Sequence, residues 1–213
     1  MLDLFGNEIE EVQPRGAKKI FACLGSSNHV NEKRQTEDFY ATEPLAVQEL
    51  LDVERFSHIV LEPCVGMGHI AEVLKHNGYE VKAQDIVDRD YPDTEIKDFL
   101  TQTENNCDII TNPPYIFAKE FVEHALKISP AGTKIAMFLK LTFLESQSRK
   151  VLFQTEPFKT LYVFSQRRIC AKNGDFQKYS SSAVAYGWYV WEKGWGGGTH
   201  HKMDLREVKN EIF

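Results

Sequence analysis

Residues 58–78, HIVLEPCVGMGHIAEVLKHNG, place a short apolar run, a glycine-containing loop and an amphipathic segment one after another. The run at residues 58–61 is typical of a strand that is buried on both faces. The segment after the loop has apolar residues at helical spacing, and Asn77-Gly78 is a signal for a helix end. A strand, a loop and a helix in this order predict one unit of an α/β protein with a parallel sheet.

The same alternation continues on both sides of this unit. Pro44 at the start of an apolar pattern predicts a helix of about three turns. Another helix is predicted at residues 117–128, and further strands at residues 79–83, 107–111, 134–139, 160–165 and 183–191. Strands and helices that alternate at this density predict a parallel sheet with helices on both faces.

The remaining segments are polar. We expect residues 1–37 to form an N-terminal arm, residues 38–195 to form one folded domain, and residues 196–213, which start with three glycines, to form a tail. The 213 residues are enough to bury a full core.

The composition excludes several classes of protein. The chain has no run of about 18 apolar residues and no basic-then-apolar leader, so we expect neither a membrane span nor export. The nearest of its four cysteines are 41 residues apart, which predicts neither a disulfide framework nor a zinc pair. The seven histidines show no metal-ligand spacing. We therefore expect a cytoplasmic protein without metal.

The net charge of −6 is distributed unevenly. Residues 133–178 contain nine basic and three acidic side chains, a net charge of +6, so the rest of the chain carries −12. This asymmetry can give an acidic protein one positive face for a polyanion. The alternative is that these side chains are solubilising charges on several faces.

The loop at residues 62–68 lies where ligands bind in doubly wound sheets. Gly66 and Gly68 form a Gly-x-Gly pattern that lacks the third glycine of a dinucleotide fingerprint. Glu62 would repel a pyrophosphate but suits a cationic amino-acid group. Asp85, 19 residues after Gly66, is placed to accept from ribose hydroxyls. The loop therefore favours S-adenosylmethionine over a dinucleotide, and the alternative is a structural turn.

The second motif is NPPY, residues 112–115, directly after a predicted strand. Its two prolines stiffen the turn and leave carbonyl groups free to accept. The Asn112 side-chain oxygen and the Pro113 carbonyl could each accept one hydrogen of an amine on a planar ring. Tyr115 could stack on that ring. An ordinary rigid turn is the alternative interpretation.

The chain from about residue 38 to residue 191 resembles the S-adenosylmethionine-dependent methyltransferases that modify the exocyclic nitrogen of adenine in DNA. The motifs that carry this resemblance are FYATEP at 39–44, EPCVGMG at 62–68, Asp85, DFL at 98–100 and NPPY at 112–115. The compact size resembles the small adenine methyltransferases of phages and mobile elements, which implies a bacterial or phage-infected host cell.

The resemblance implies a Rossmann-like class I methyltransferase fold, with a mostly parallel seven-stranded sheet and helices on both faces. It implies direct transfer of a methyl group to the N6 amine of a flipped adenine. The implied cofactor-binding residues are Tyr40, Thr42, Glu62, Pro63, Gly66, Gly68, Asp85, Ile86, Asp98 and Phe99. The implied catalytic residues, which hold the base, are Asn112, Pro113, Pro114 and Tyr115.

A nucleic-acid substrate needs phosphate contacts, which dominate its affinity. The basic segment supplies four candidates, Arg149, Lys150, Arg167 and Arg168. The sequence does not indicate an oligomeric state.

Other functions remain open. Enzymes with an Asn-Pro-Pro-Tyr motif also methylate adenine in RNA or a protein glutamine, although the basic segment favours nucleic acid. A different class is a nucleic-acid-binding protein that kept the fold without catalysis, against which the intact motifs at residues 62–68 and 112–115 argue.

Overall fold

The computed structural model describes residues 40–154, 157–172, 174–177 and 182–196. The expected arm and almost all of the expected tail lie outside these residues. Within them the strands are β1 Tyr40–Thr42, β2 Ile59–Glu62, β3 Glu80–Asp85, β4 Glu95–Ile96, β5 Asp108–Thr111, β6 Lys134–Lys140, β7 Phe158–Val163, β8 Cys170–Lys172 and β9 Tyr186–Glu192. The α-helices are α1 Pro44–Val53, α2 His69–His76, α3 Ala118–Ile128 and α4 Lys150–Gln154. The predicted helices and main strands are confirmed to within a few residues.

Seven strands form one sheet in the order β4-β3-β2-β5-β6-β9-β7. The strands from β4 to β6 are parallel, and β9 is antiparallel to both of its neighbours. The prediction of a mostly parallel seven-stranded sheet is confirmed. Since β2 and β5 are adjacent and parallel, the segments that follow them leave the sheet at the same edge.

Helices cover both faces of this sheet. In β6, Ile135, Met137 and Leu139 pack in one cluster with the apolar residues of α3. The alternate residues Ala136 and Phe138 pack in a second cluster with α1 and α2. The continuous apolar run of β6, residues 135–139, is therefore buried on both sides, as the sequence predicts.

Two tryptophans on β9 connect α1 and α4 to the sheet by hydrogen bonds. Trp188 is fully buried, and its ring N–H donates to the carbonyl of Ala46 in α1 at 2.8 Å. Trp191, also fully buried, donates to the carbonyl of Leu152 in α4 at 3.1 Å on the opposite face. Both buried indole donors are thus paired, and the two faces are held to the same strand.

A second, two-stranded sheet was not predicted from the sequence. The chain between β7 and β9 leaves the main sheet and places β8 antiparallel to β1, with Cys170 opposite Thr42. The guanidinium of Arg168 binds the carboxylate of Glu49 on α1 through both its Nε and Nη2 atoms. The Ile169 N–H also donates to the Glu43 side chain at 2.9 Å. These contacts hold β8 against the start of α1.

Candidate functional site at the carboxyl edge of the sheet

Three polar side chains predicted from the sequence lie at one edge of the sheet. Glu62 ends β2, Asp85 ends β3, and Asn112 directly follows β5. Strand β2 pairs with β3 on one side and with β5 on the other. The carboxyl ends of parallel strands therefore bring the glycine loop and the NPPY motif together.

Glu62 is a buried carboxyl group with an unused oxygen. Its residue is 1% exposed, and its Oε2 atom has no hydrogen-bond partner among the described residues. Burial raises the pKa of this carboxyl well above its usual range, against a backbone hydrogen bond from Ala71, and the nearby Asp85 adds to the rise. A buried carboxylate oxygen that no hydrogen bond satisfies is unfavourable, so this position suits a cationic group of a ligand.

The glycine loop is held by Asp85. Its Oδ2 atom accepts from the Gly66 N–H at 2.8 Å, and its Oδ1 atom accepts from the Val87 N–H at 3.0 Å. Each carboxylate oxygen has a second lone pair, so Asp85 can still accept from a ligand hydroxyl. Gly66 and Gly68 have φ angles of 56° and 84°, which favour glycine. A side chain at Gly68 would also collide with the ring of Tyr91.

Four other predicted cofactor residues surround this loop or precede α1. Thr42 is buried, and its hydroxyl has no hydrogen-bond partner within the described part of the chain. Tyr40 is 41% exposed, and Ile86, directly after Asp85, is 64% exposed. Pro63 is buried next to Glu62. An exposed apolar side chain beside a carboxylate is suited to the face of a purine.

Asp98 and Phe99 have structural contacts. Asp98 accepts from the Leu100 N–H at 2.9 Å and caps a short 3₁₀ turn. Phe99 is 2% exposed, and its ring packs against Phe121 and His124 of α3, with ring centres 5.1 and 5.2 Å apart. The structure therefore places the Phe99 ring in the core below α3. Periodicity could not distinguish this position from a ligand-facing one.

The Asn112 side chain has a defined orientation. Its Nδ2 atom donates to the Tyr40 carbonyl at 2.8 Å and to the Cys170 sulfur at 3.4 Å. Because the NH2 group is used by these acceptors, the Oδ1 atom is left to accept. Pro113 is buried, and the Pro114 carbonyl accepts from the Phe117 N–H at 2.9 Å, which closes the turn.

Tyr115 is packed by the same segment of chain. Its hydroxyl is 3.2 Å from the Cys170 sulfur, and its ring centre is 6.0 Å from that of Tyr186. The Lys140 Nζ atom lies 5.1 Å from the centre of the Tyr115 ring. Burial raises the pKa of the Tyr115 hydroxyl well above its usual range. The phenol therefore stays neutral at physiological pH.

The four candidate phosphate ligands have different environments. Arg168 is 9% exposed and engaged by Glu49, with its guanidinium 5.6 Å from the Phe164 ring centre, so it is not free to bind a phosphate. Arg149 donates to the Phe143 carbonyl at 2.6 Å. Arg167 is exposed but donates to the Ala183 carbonyl. Lys150, at the start of α4, is exposed.

Sequence reasoning missed Cys170, which contacts two residues of the NPPY motif. The cysteine lies 58 positions after Asn112, and no local pattern marks it. Only the pairing of β8 with β1 brings it to this edge.

Within the described residues, no three His, Cys, Asp or Glu side chains are grouped as metal ligands. The helices of those residues include none that is long and apolar enough to cross a membrane.

No family model and no curated protein matches the sequence. The fold is similar to solved structures. TrmN from Thermus thermophilus is 20% identical over 70% of this chain and 48% of its own, with a TM-score of 0.47. A putative RNA methyltransferase from Pyrococcus horikoshii is 15% identical over 84% of this chain and 99% of its own, with a TM-score of 0.51.

A predicted O-methyltransferase from Agrobacterium tumefaciens is 11% identical over 71% of this chain and 81% of its own, also with a TM-score of 0.51. This chain spans about half the length of TrmN and almost the whole length of the Pyrococcus protein. Identities this low show similarity of fold and not of substrate. The chain therefore shares its α/β fold with the Pyrococcus and Agrobacterium structures, and its polar side chains lie at the carboxyl edge of the sheet.

Proposed function

We propose that the protein transfers the methyl group of S-adenosylmethionine to the N6 amine of adenine in DNA. The observation that carries this proposal is the orientation of Asn112. Its NH2 group is held by Tyr40 and Cys170, so its oxygen is the atom left to accept from a target amine. The neighbouring strand ends in Glu62, whose Oε2 atom has no hydrogen-bond partner in the part of the chain that the structure describes.

The residues at the ends of β2 and β3 suit S-adenosylmethionine. Glu62 would bind its ammonium group, Asp85 would accept from its ribose hydroxyls, and the exposed Ile86 would contact its adenine face. The buried Thr42 hydroxyl, unpaired among the described residues, is available to the amino-acid end. When bound, this group supplies a methyl carbon on a positively charged sulfur, which is electrophilic without further activation.

The protein's own contribution is to orient the target amine. The Asn112 oxygen and the Pro113 carbonyl would each accept one N–H, which directs the nitrogen lone pair away from both acceptors. Tyr115 would stack on the ring, worth about 1–3 kcal/mol. Since burial keeps the Tyr115 hydroxyl protonated, it acts as a surface and not as a base. Catalysis is then mainly positioning in a site with little water.

A base inside a duplex cannot reach this edge, so it must be extruded at a cost of a few kcal/mol. The basic segment at residues 133–178 supports a nucleic-acid substrate, and the exposed Lys150 and Arg167 are its remaining candidates for phosphate contacts. Adenine in RNA and a protein glutamine amide present a similar planar amine. They remain the second candidates.

Incubation with labelled S-adenosylmethionine and DNA, RNA or a glutamine-containing protein in parallel tests the proposal. We expect the label in DNA, recovered as N6-methyladenine after digestion to nucleosides. Asn112→Ala should lower turnover by about 100-fold or more, by analogy with the loss of one hydrogen-bonding group aimed at a transition state.

Asn106→Ala is the matched control, because Asn106 is an exposed asparagine at the other end of β5. Its turnover should equal that of the wild type. Label in RNA or protein but not in DNA would reject the proposed substrate, and full turnover by Asn112→Ala would reject the proposed site.

A further inference from the structure

Cys170 connects the two side chains of the NPPY motif that would hold the target. Its sulfur is 3.4 Å from Asn112 Nδ2 and 3.2 Å from the Tyr115 hydroxyl. It is also 3.8 Å from the Tyr40 carbonyl, to which Asn112 donates at 2.8 Å. One thiol therefore contacts both the NPPY motif and Tyr40 of strand β1.

The hydrogen bonds at this sulfur form a consistent set. A neutral thiol has one S–H donor and can accept weakly. If the S–H donates to the Tyr40 carbonyl, the sulfur accepts from the Asn112 NH2 group and from the Tyr115 hydroxyl, and the Tyr186 hydroxyl is a further donor beside it. Burial raises the pKa of the Cys170 thiol, so the neutral form is the one present near pH 7.

This arrangement has a consequence for Asn112. Its amide could rotate by about 180° and present NH2 in place of oxygen to the target, since the two ends have similar size. The Tyr40 carbonyl can only accept, so it favours NH2 over the amide oxygen, and the Cys170 sulfur accepts from the same NH2 group while its S–H donates to that carbonyl. The sulfur thus adds a second acceptor that selects the orientation with the oxygen toward the target.

We propose that Cys170 is a positioning residue, which fixes the Asn112 amide and the Tyr115 ring in the orientation that receives the target amine. This inference rests on the proposed function. It assigns no contact between the thiol and the substrate, and no covalent step. Cys170 lies on β8, which pairs with β1. The Arg168–Glu49 ion pair holds the segment before β8 against α1.

Steady-state kinetics of Cys170→Ala and Cys170→Ser test the proposal. In Cys170→Ala we expect kcat to fall by about 10- to 100-fold, as for small misplacements of a reacting group. The dissociation constant for S-adenosylmethionine should not change, because Glu62 and Asp85 are untouched. Cys170→Ser keeps one donor and an acceptor and should recover a large part of kcat.

Cys107→Ala is the matched control, since Cys107 precedes β5 at the end of the strand opposite to Asn112. It removes a thiol from the core and should leave kcat per folded molecule unchanged. A kcat of Cys170→Ala equal to that of the wild type would overturn the proposal. Equal losses in Cys170→Ala and Cys170→Ser, with raised dissociation constants for the donor, would also overturn it.

A second measurement needs no substrate. In protein labelled with 15N-asparagine, the Asn112 side-chain amide signal is assigned by its loss in Asn112→Ala. Its hydrogens should exchange with water faster in Cys170→Ala than in the wild type, and unchanged exchange would contradict the positioning role. If the wild type methylates no DNA while this exchange changes as expected, the proposed function fails and the positioning role stands.

Discussion

Two neighbouring strand ends of this sheet differ in how fully their polar atoms are paired. After β5, the Asn112 amide and the Tyr115 hydroxyl are joined through Cys170; we call these three residues the target side. At the end of β2, the Glu62 carboxyl is buried with one oxygen unpaired among the described residues. We call Glu62, Asp85 and the glycine loop the donor side.

The difference indicates that the two sides have different roles in binding and orientation. Paired polar groups hold their geometry in the absence of ligand, so the target side is organised in advance. An unpaired buried carboxyl group is unfavourable and gains from a ligand that supplies its partner. The donor side is thus suited to affinity, and the target side to orientation.

The largest expected effect comes from breaking the anchor of the target side. Arg168→Ala leaves the partly buried Glu49 carboxylate without its bidentate partner and should lower the free energy of unfolding by about 3 kcal/mol, the lower end of the cost for a buried pair. Urea unfolding measures this change. The neighbouring Arg167→Ala is the control, because Arg167 is exposed and should change stability by less than about 1 kcal/mol. Equal stability of the two variants would show that the ion pair does not hold β8.

A smaller effect is expected at the donor side. Glu62→Gln keeps the shape of the side chain and removes the charge that would bind an ammonium group. Affinity for S-adenosylmethionine should fall by about 10- to 100-fold, the worth of one charged hydrogen bond. Titration calorimetry measures this directly. Unchanged affinity would mean that the unpaired Glu62 oxygen does not face the ligand.

The pH dependence of stability sharpens the same contrast. The pKa of the Glu62 carboxyl is raised in the folded protein, so the folded state binds more protons than the unfolded state between the ordinary and the raised value. The Glu62 carboxyl therefore stabilises the folded state at low pH. This contribution is lost as the pH rises from the ordinary pKa to the raised pKa of the folded state. Without ligand, the free energy of unfolding should fall more steeply above about pH 5 in the wild type than in Glu62→Gln. Parallel curves for the two proteins would contradict the burial argument.

The smallest expected effect concerns the exposed part of the basic segment. Lys150→Ala removes one exposed positive charge at the start of α4. The slope of log affinity for DNA against log salt concentration should become shallower by about 0.9. Lys127→Ala, an exposed lysine in the last turn of α3, is the matched control. An equal change in both variants would assign the effect to net charge alone.

Sequence reasoning predicted the parts of the fold that depend on local pattern. Apolar runs such as residues 135–139 are buried on both faces of a sheet, and their continuous apolar character identifies them without knowledge of their partners. The strand ends followed from this, because parallel strands bring their carboxyl ends to one edge. Glu62, Asp85 and Asn112 were found at that edge for this reason.

The contacts that the sequence did not reveal are those between distant segments. Cys170 reaches the site only through the pairing of β8 with β1, and Arg168 is held by Glu49, 119 positions earlier. A basic side chain looks the same in the sequence whether a carboxylate holds it or not. Phe99 is similar, since its burial against α3 depends on how the helix crosses the sheet.

The central claim is that the donor binds at Glu62 while the target amine is held at Asn112. A crossed comparison of Glu62→Gln and Asn112→Ala, with donor affinity and saturated turnover measured for each, tests it most directly. We expect Glu62→Gln to bind the donor weakly but to keep most of its turnover at saturation, and Asn112→Ala to bind the donor normally with turnover almost lost. If both variants lose affinity and turnover together, the two strand ends do not divide binding and orientation between them.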